Sequence, residues 1–135
     1  MIVFDTDTLT LYKRGNAEIR RRAAAEKEEI AITVITQIEV LLGRFDFILK
    51  AADGEQLQRA QLYLVKSEQD IAEHMILPID SAAAAEFDKL RQNPKLRKIG
   101  RADLLIASIA LSRRATLVTR NVKHFRLVPG LTVEN

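Results

Sequence analysis

The sequence places acidic side chains at separated points where they could bind one metal ion together. Asp5 and Asp7 follow the apolar opening of the chain, Glu39 follows a β-branched run, and Asp103 lies near the start of an apolar segment. Two like charges about 4 Å apart repel by about 4 kcal/mol at an effective dielectric near 20, so a shared pocket calls for a cation. A divalent ion held by carboxylates suits hydrolysis of phosphodiesters.

The absence of cysteine narrows the choice of metal. Without thiolates a metal must be held by oxygen or imidazole ligands, and an oxygen-only set favours Mg²⁺ or Mn²⁺.

Each acid also has a purely structural interpretation. Glu39 could reach back to the backbone of Thr36 in a capping box. Asp103 could complement the dipole of its helix, or it could pair with Arg101 or Arg120. Because the helix around Asp103 is apolar on nearly every side, a carboxylate there must be paired, hydrogen-bonded or metal-bound.

The elements that must position these side chains alternate between strand and helix. The pattern predicts strands at residues 1–4, 30–35, 75–79, 115–119 and 131–135, and helices at residues 8–14, 16–27, 37–52, 55–74, 82–92 and 101–113. The alternation predicts an α/β fold in three α/β/α layers, with a mostly parallel five-stranded sheet. Ligands of such sheets bind beyond the carboxyl ends of the strands, where Asp5 falls.

Local signals refine the helices. Asn16 is predicted to cap the second helix, Thr36 the third, and Asp80 or Ser81 the fifth. The third helix carries a stripe predicted to be buried, at Ile38, Leu41, Leu42, Phe45, Ile48 and Leu49. The fourth is predicted to break near Ser67, and residues 120–130 are predicted to form a loop.

The charge is unevenly distributed along the chain. Residues 1–90 hold 11 Lys/Arg against 16 Asp/Glu, whereas residues 91–135 hold 10 against 2. The basic part could form a positive rim for the phosphates of a nucleic acid, or it could be an ordinary solvated surface. No apolar run approaches the roughly 20 residues that span a bilayer, and the start lacks a signal-peptide pattern, so we expect a cytoplasmic protein without a membrane partner.

Four segments together resemble a known family. "FDTDTL", "TVITQIEVLLG", "GRADLLIASIAL" and "LVTRNVKHFRLVPGLTVEN" resemble, in order and spacing, PIN-domain ribonucleases, specifically the VapC-type toxins of bacterial toxin–antitoxin pairs. The resemblance implies a single PIN domain over residues 1–135 and Mg²⁺- or Mn²⁺-dependent cleavage of single-stranded RNA. It also implies inhibition by a cognate antitoxin, and a homodimer or a toxin–antitoxin hetero-oligomer.

The resemblance also assigns roles to individual residues. Asp5, Glu39 and Asp103 would be the catalytic acids that bind the metal. Asn121 stands where many members have a fourth acid, and it can offer an amide oxygen but no charge. Asp7 either partly compensates for that missing charge or caps the first helix.

Further residues could support the acids or contact the substrate. Thr6 and Thr119 could hydrogen-bond the acids. Arg101 and Arg120 could contact either the acids or the substrate. His124 is expected at the surface or against the substrate rather than in catalysis.

Two other functions remain open from the sequence. "DTDTL" resembles the nucleophile loop of haloacid-dehalogenase-type phosphatases, but Leu9 replaces its Thr or Val, and Glu134 is the only acid after Asp103. Alternatively, Glu39 and Asp103 are helix caps, and the basic face of a non-catalytic module binds RNA or an acidic protein.

Overall fold

Five short strands form one parallel sheet at the centre of the protein, which a computed structural model describes over residues 1–135. They are β1 (Ile2–Phe4), β2 (Ile30–Thr33), β3 (Met75–Leu77), β4 (Thr116–Val118) and β5 (Thr132–Glu134). Their order is β3-β2-β1-β4-β5, and every neighbouring pair runs parallel. The predicted α/β class and five-stranded sheet are confirmed.

Seven helices cover the sheet. They are α1 (Thr6–Lys13), α2 (Ala17–Ala25), α3 (Val34–Leu49), α4 (Gly54–Ala72), α5 (Ser81–Arg91), α6 (Arg101–Ser112) and α7 (Val122–Phe125). Asn16 and Asp80 cap α2 and α5 as predicted, each accepting a hydrogen bond from a backbone N–H in the first turn. No helix is both long enough and apolar enough to cross a membrane.

Alternation along the central strands divides the core into two layers. Ile2 and Phe4 of β1 face α1, α2 and α4, whereas Val3 between them faces α5 and α6. Successive side chains of a strand point to opposite faces, so a three-residue strand contributes to both layers. The α5–α6 layer is the larger, and its centre is the fully buried Ile106 and Ile109 of α6.

The start of α3 differs from the prediction. Thr33, not Thr36, caps this helix by accepting a hydrogen bond from the backbone N–H of Thr36 at 3.3 Å. Because the helix starts three residues early, the predicted capping box between Thr36 and Glu39 is wrong. Both side chains are therefore free to make contacts outside the helix.

The predicted burial of the α3 stripe is wrong for four of its six residues, whereas Leu41 and Ile48 are partly buried. Leu42, Phe45 and Leu49 are 59%, 54% and 67% exposed, and Ile38 is 46% exposed. A helix of 16 residues is about 24 Å long, roughly twice the length of a four-residue strand, so only its first turns reach the sheet. The rest of α3 packs against α4 as a hairpin outside the core.

Two further predictions fail locally. α4 runs through Ser67 without a break, and residues 122–125 form α7 inside the predicted loop. Ser67 is compatible with the helix because it is buried and its hydroxyl accepts a hydrogen bond from Arg44. Four residues are too few to show a helical period in the sequence.

The strand order places a topological switch point between β1 and β4. The chain leaves β1 toward β2 on one side, while β4 lies on the other side of β1. A crevice opens at such a point beyond the carboxyl ends of the strands. Asp5 directly follows β1 and Thr119 directly follows β4, so both residues lie at this crevice.

His74 makes stability depend on pH at the opposite end of the sheet. Its Nε2 is buried without a hydrogen bond, and its ring meets the ring of Tyr12 edge-on at 6.3 Å. Burial lowers the pKa of His74 below 6.5, with help from Lys13, while Glu73 and Asp70 oppose the shift. Below pH 6.5 the unfolded chain therefore binds a proton that the folded chain resists.

We therefore expect the free energy of unfolding to fall as the pH is lowered through about 6.5 toward the lower folded pKa. Replacing His74 with Phe, which keeps an aromatic edge against Tyr12, should flatten that decline. Urea unfolding at a series of pH values measures both slopes. Equal slopes for the two proteins would show that His74 does not cause the decline.

Candidate functional site

The carboxylate of Asp5, directly after β1, is hydrogen-bonded to Thr119, directly after β4. Oδ1 accepts a hydrogen bond from the backbone N–H of Thr8 at 2.9 Å, which makes Asp5 the N-cap of α1. Oδ2 accepts from the hydroxyl of Thr119 at 2.6 Å. Asp5 is 7% exposed, and no lysine or arginine forms an ion pair with it. Its orientation is therefore set by hydrogen bonds, while its charge is left without a counter-ion.

Thr119 connects this contact to the following turn. Its hydroxyl also accepts a hydrogen bond from the backbone N–H of Asn121 at 3.0 Å. Asn121 precedes α7, and its exposed side chain makes no capping hydrogen bond. The backbone of Asn121 is thus positioned relative to Asp5, while its amide remains free.

Glu39 is held by Thr6 across two helices. Its Oε1 accepts a hydrogen bond from the Thr6 hydroxyl at 2.7 Å, and that hydroxyl lies 3.0 Å from the hydroxyl of Thr36. Thr6 opens α1 directly after Asp5, so the contact brings α3 to the same end of the sheet. Glu39 itself is exposed, and a long exposed side chain can change rotamer at little cost.

Asp103 lies in the first turn of α6 and is partly buried without a hydrogen bond. The imidazole Nε2 of His124 lies 3.5 Å from its Oδ2. Burial raises the pKa of Asp103, and the negative charges of Asp5, Glu39 and Asp7 raise it further, while His124 opposes the shift. The four carboxylates therefore act on one another electrostatically.

His124 is partly exposed, with 23% of its side chain accessible. Its Nε2 is buried without a hydrogen-bond partner, and its ring meets the ring of Phe125 edge-on at 5.5 Å. The imidazole thus fills the space beside Asp103. A short helix at residues 122–125 was needed to turn it inward, and sequence reasoning missed that helix.

Three charged residues behave differently from their predicted roles. Asp7 is exposed and does not cap α1, because Asp5 does. The guanidinium of Arg101 lies 5.3 Å over the ring of Phe87, and Arg120 is exposed without an ion pair. The prediction that either arginine neutralises Asp103 is therefore wrong.

The carboxylates lie at one end of the sheet but do not form a ready-made metal cluster. No three acidic or histidine side chains lie at the mutual spacing of metal ligands. The predicted convergence of Asp5, Glu39 and Asp103 on one metal ion therefore stays a prediction.

The donor set nevertheless fits a hard divalent cation. Every candidate ligand is a carboxylate oxygen, and no lysine or arginine pairs with Asp5, Glu39 or Asp103. Asp103 and the second oxygen of Glu39 accept no hydrogen bond from the protein.

Comparisons with known proteins relate the whole chain to one family. The model of the PIN domain family matches residues 2–131. Ribonuclease VapC2 of Rickettsia felis is 35% identical over 114 residues, which cover 82% of this chain and 77% of that protein. The tRNA(fMet)-specific endonuclease VapC of Salmonella typhimurium is 26% identical, covering 98% and 96%. The solved VapBC2 complex of R. felis, bound to a DNA fragment from its promoter, aligns with a TM-score of 0.78 at 26% identity, covering 100% and 98%.

The hydrogen bond between Thr119 and Asp5 should contribute measurably to stability. Replacing Thr119 with Val leaves an oxygen of a buried carboxylate without its donor, so we expect the free energy of unfolding to fall by about 1.5–3 kcal/mol. Thr132→Val in the exposed part of β5 is the matched control and should change it by less than about 0.5 kcal/mol. Equal stabilities of the two variants in urea unfolding would contradict this role.

Asp103 should have opposite effects on stability and on function. Because its pKa is raised in the folded protein, the ionised carboxylate destabilises the fold at neutral pH. Without divalent ions, Asp103→Asn should therefore unfold at a higher temperature than the wild type at pH 7. The gain should vanish as the pH falls through the raised pKa, where the wild-type carboxyl is protonated.

A second aspartate provides the control for this thermal melt. Asp88 lies on α5 and forms an exposed ion pair with Arg91, so Asp88→Asn should bring no gain. A loss of stability in Asp103→Asn at pH 7 would show that the repulsion does not act there.

Proposed function

Since this chain belongs to the PIN domain family, we propose that its acidic site cleaves single-stranded RNA and that the protein is the toxin of a toxin–antitoxin pair. The acidic site consists of Asp5, Glu39 and Asp103. One observation carries the proposal: these mutually repelling carboxylates lie together at the switch point of the sheet with no lysine or arginine to neutralise them. Such an arrangement costs stability unless a cation is bound.

The relatives support RNA as the substrate. Two curated relatives that cover most of the chain are named a ribonuclease and a tRNA(fMet)-specific endonuclease. Several basic residues of the C-terminal third form no ion pair, which suits a phosphate-bearing substrate. They include Lys95, Arg97, Lys98, Arg120, Lys123 and Arg126. We extend the single PIN domain to residues 1–135, since the family match already spans residues 2–131.

The resident metal is Mg²⁺ or Mn²⁺, held by Asp5, Glu39 and Asp103. Both ions prefer oxygen ligands and retain coordinated waters, which suits a phosphodiester substrate. When bound, such an ion acidifies a coordinated water and neutralises charge that develops on the phosphoryl oxygens.

The protein's own contribution is to orient the ligands. Thr119 fixes one oxygen of Asp5, and Thr6 fixes one oxygen of Glu39, so each carboxylate keeps lone pairs for a ligand. His124 packs beside Asp103 and limits its rotation. Asn121, next to Thr119, can orient a water or a substrate oxygen through its free amide.

Asp7 and Arg120 lie at the edge of this site. Asp7 adds negative charge to the field at Asp103, which strengthens attraction for a cation. Arg120 follows Thr119 and is exposed, where it can contact a phosphate of the RNA.

An antitoxin is the expected protein partner. The similar structure from R. felis is a VapBC2 complex. In this chain the α3–α4 hairpin exposes many large apolar side chains, namely Ile38, Leu42, Phe45, Leu49, Leu57, Leu62 and Val65. A patch of this kind marks a protein interface, either with the antitoxin or with a second copy in a homodimer. We expect the protein to act in the cytoplasm.

The phosphatase interpretation has less support. Its chemistry needs a late pair of acids, and Glu134, the only acid after Asp103, lies in the edge strand β5. A module that only binds RNA or protein needs no cation site, so that function does not account for acids that repel one another.

A cleavage assay separates these functions. The wild type should cut end-labelled single-stranded RNA with Mg²⁺ or Mn²⁺, and EDTA should abolish cutting. Asp103→Asn should lower the rate at least about 100-fold, since loss of one group that stabilises transition-state charge typically costs 10²–10³. Asp88→Asn should keep full activity. Release of phosphate from small monoesters would indicate a phosphatase, and retention of uncut RNA a binding module.

A further inference from the structure

A second crevice, which we call the basic groove, lies between α1, α3 and α4. It has a volume of about 190 Å³ and is lined by Lys13, Arg14, Arg44 and Lys66, with Asp70 as its one carboxylate. We propose that the basic groove binds the part of the single-stranded RNA that leaves the acidic site. The proposal rests on the proposed function and adds the path of the substrate.

The basic groove begins where the acidic site ends. The hydrogen bond between Thr6 and Glu39 joins the first turns of α1 and α3, and Thr10 on the next turn of α1 already lines the groove. Arg44 is five residues beyond Glu39 on α3, about 7.5 Å along the helix axis. Arg14 is eight residues beyond Thr6, about 12 Å. A strand cut at the acids can therefore reach both arginines within a few nucleotides.

Two of the four cations have no carboxylate partner. Lys13 forms an ion pair with Glu73 at 2.8 Å, and Lys66 lies 3.7 Å from Asp70. By contrast, Arg44 donates a hydrogen bond to the hydroxyl of Ser67 at 2.8 Å, and Arg14 contacts no acid.

Arg44 is the more informative of the two free arginines. It is only partly exposed, and a cation removed from water normally has an acid or another anion nearby. The guanidinium is also a planar donor that can bind a phosphate with two hydrogen bonds. An anionic ligand would thus complete the surroundings of Arg44.

Tyr63 adds a surface on which a base can stack. Its ring is 43% exposed, the guanidinium of Arg44 lies 5.6 Å from its centre, and Phe47 supports it edge-on at 5.8 Å. Alternating cations and aromatic rings are typical of proteins that bind single-stranded nucleic acid, because every base has a face that can stack.

Another crevice, larger than the basic groove, is less suited to RNA. It has a volume of about 230 Å³ beside α2 and β4, and the carboxylates of Glu18, Glu26 and Glu134 line it against Arg22 and Arg120. Three acids against two arginines repel a polyanion on balance, whereas the basic groove keeps Arg14 and Arg44 as positive charges even after Lys13 and Lys66 are paired with Glu73 and Asp70. Charge therefore favours the smaller groove.

The first test measures RNA binding in EDTA, where no cutting takes place. The double variant R14Q/R44Q should raise the Kd for a labelled single-stranded RNA at least tenfold in fluorescence anisotropy. Loss of two phosphate contacts should also reduce the slope of log K against log salt by about 1.4, since each contact contributes about 0.7. The matched control is R21Q/R59Q, which removes two arginines paired within their own helices. It should change the Kd less than twofold.

The second test measures cleavage by the same proteins. R14Q/R44Q should raise KM for RNA about tenfold and leave kcat within twofold, because the groove holds the substrate away from the reacting phosphate. The exposed Arg14 can be replaced alone if the double variant melts early, and R14Q should raise KM about threefold. An unchanged KM, or an equal loss in R21Q/R59Q, would overturn the proposal.

A labelling experiment tests the basic groove without removing any of its charged side chains. The chain has no cysteine, so Thr10→Cys and Gln61→Cys each create a single thiol, one in the basic groove and one on the exposed face of α4. A bulky maleimide at position 10 should block RNA binding, and the same label at position 61 should not. RNA binding by both labelled proteins would overturn the proposal.

The outcomes separate this proposal from the proposed function. If the wild type cuts no RNA, the nuclease function fails, whatever the variants do. If the wild type cuts RNA and R14Q/R44Q cuts it with wild-type KM, the groove alone fails as a substrate path. Weaker inhibition by the antitoxin, with unchanged RNA binding, would assign the groove to the antitoxin and equally overturn the proposal.

Discussion

The site depends on one constraint, which is that Asp5, Glu39 and Asp103 influence one another electrostatically while no lysine or arginine pairs with any of them. The fold meets this constraint with hydroxyl donors. Thr119 holds Asp5 and Thr6 holds Glu39, and neither donor neutralises the charge it orients. An arginine in either place would instead neutralise the carboxylate that it contacts. Burial and the neighbouring negative charges raise the pKa of Asp103. The ionised form of this carboxylate therefore destabilises the fold at neutral pH.

The same end of the molecule combines a buried carboxylate with an exposed one. Asp5 is buried at the junction of two central strands, while Glu39 is exposed on a helix that leaves the core after its first turns. The α3–α4 hairpin serves two further purposes, since its inner side lines the basic groove and its outer side is apolar.

Counting charges along the chain hides the basic groove. Residues 1–90 are acidic in total, yet Lys13, Arg14, Arg44 and Lys66 from this part meet on three helices. Many of the acids in the same segment pair with basic residues of their own helix, as Glu18 does with Arg21 and Glu55 with Arg59. Local pairing leaves Arg14 and Arg44 free, so the surface potential depends on which charges are paired rather than on the total.

The sequence by itself determined the α/β class and the five strands, because strand and helix periodicities and cap residues are local properties. It could not decide whether the stripe from Ile38 to Leu49 is buried, since burial depends on how far α3 extends beyond the sheet. Nor could it place His124 beside Asp103, turn Arg101 toward Phe87, or choose Asp5 over Asp7 as the cap of α1. Those contacts join residues far apart in the chain or depend on the register of a single turn, and only the packing of strands and helices brings such residues together.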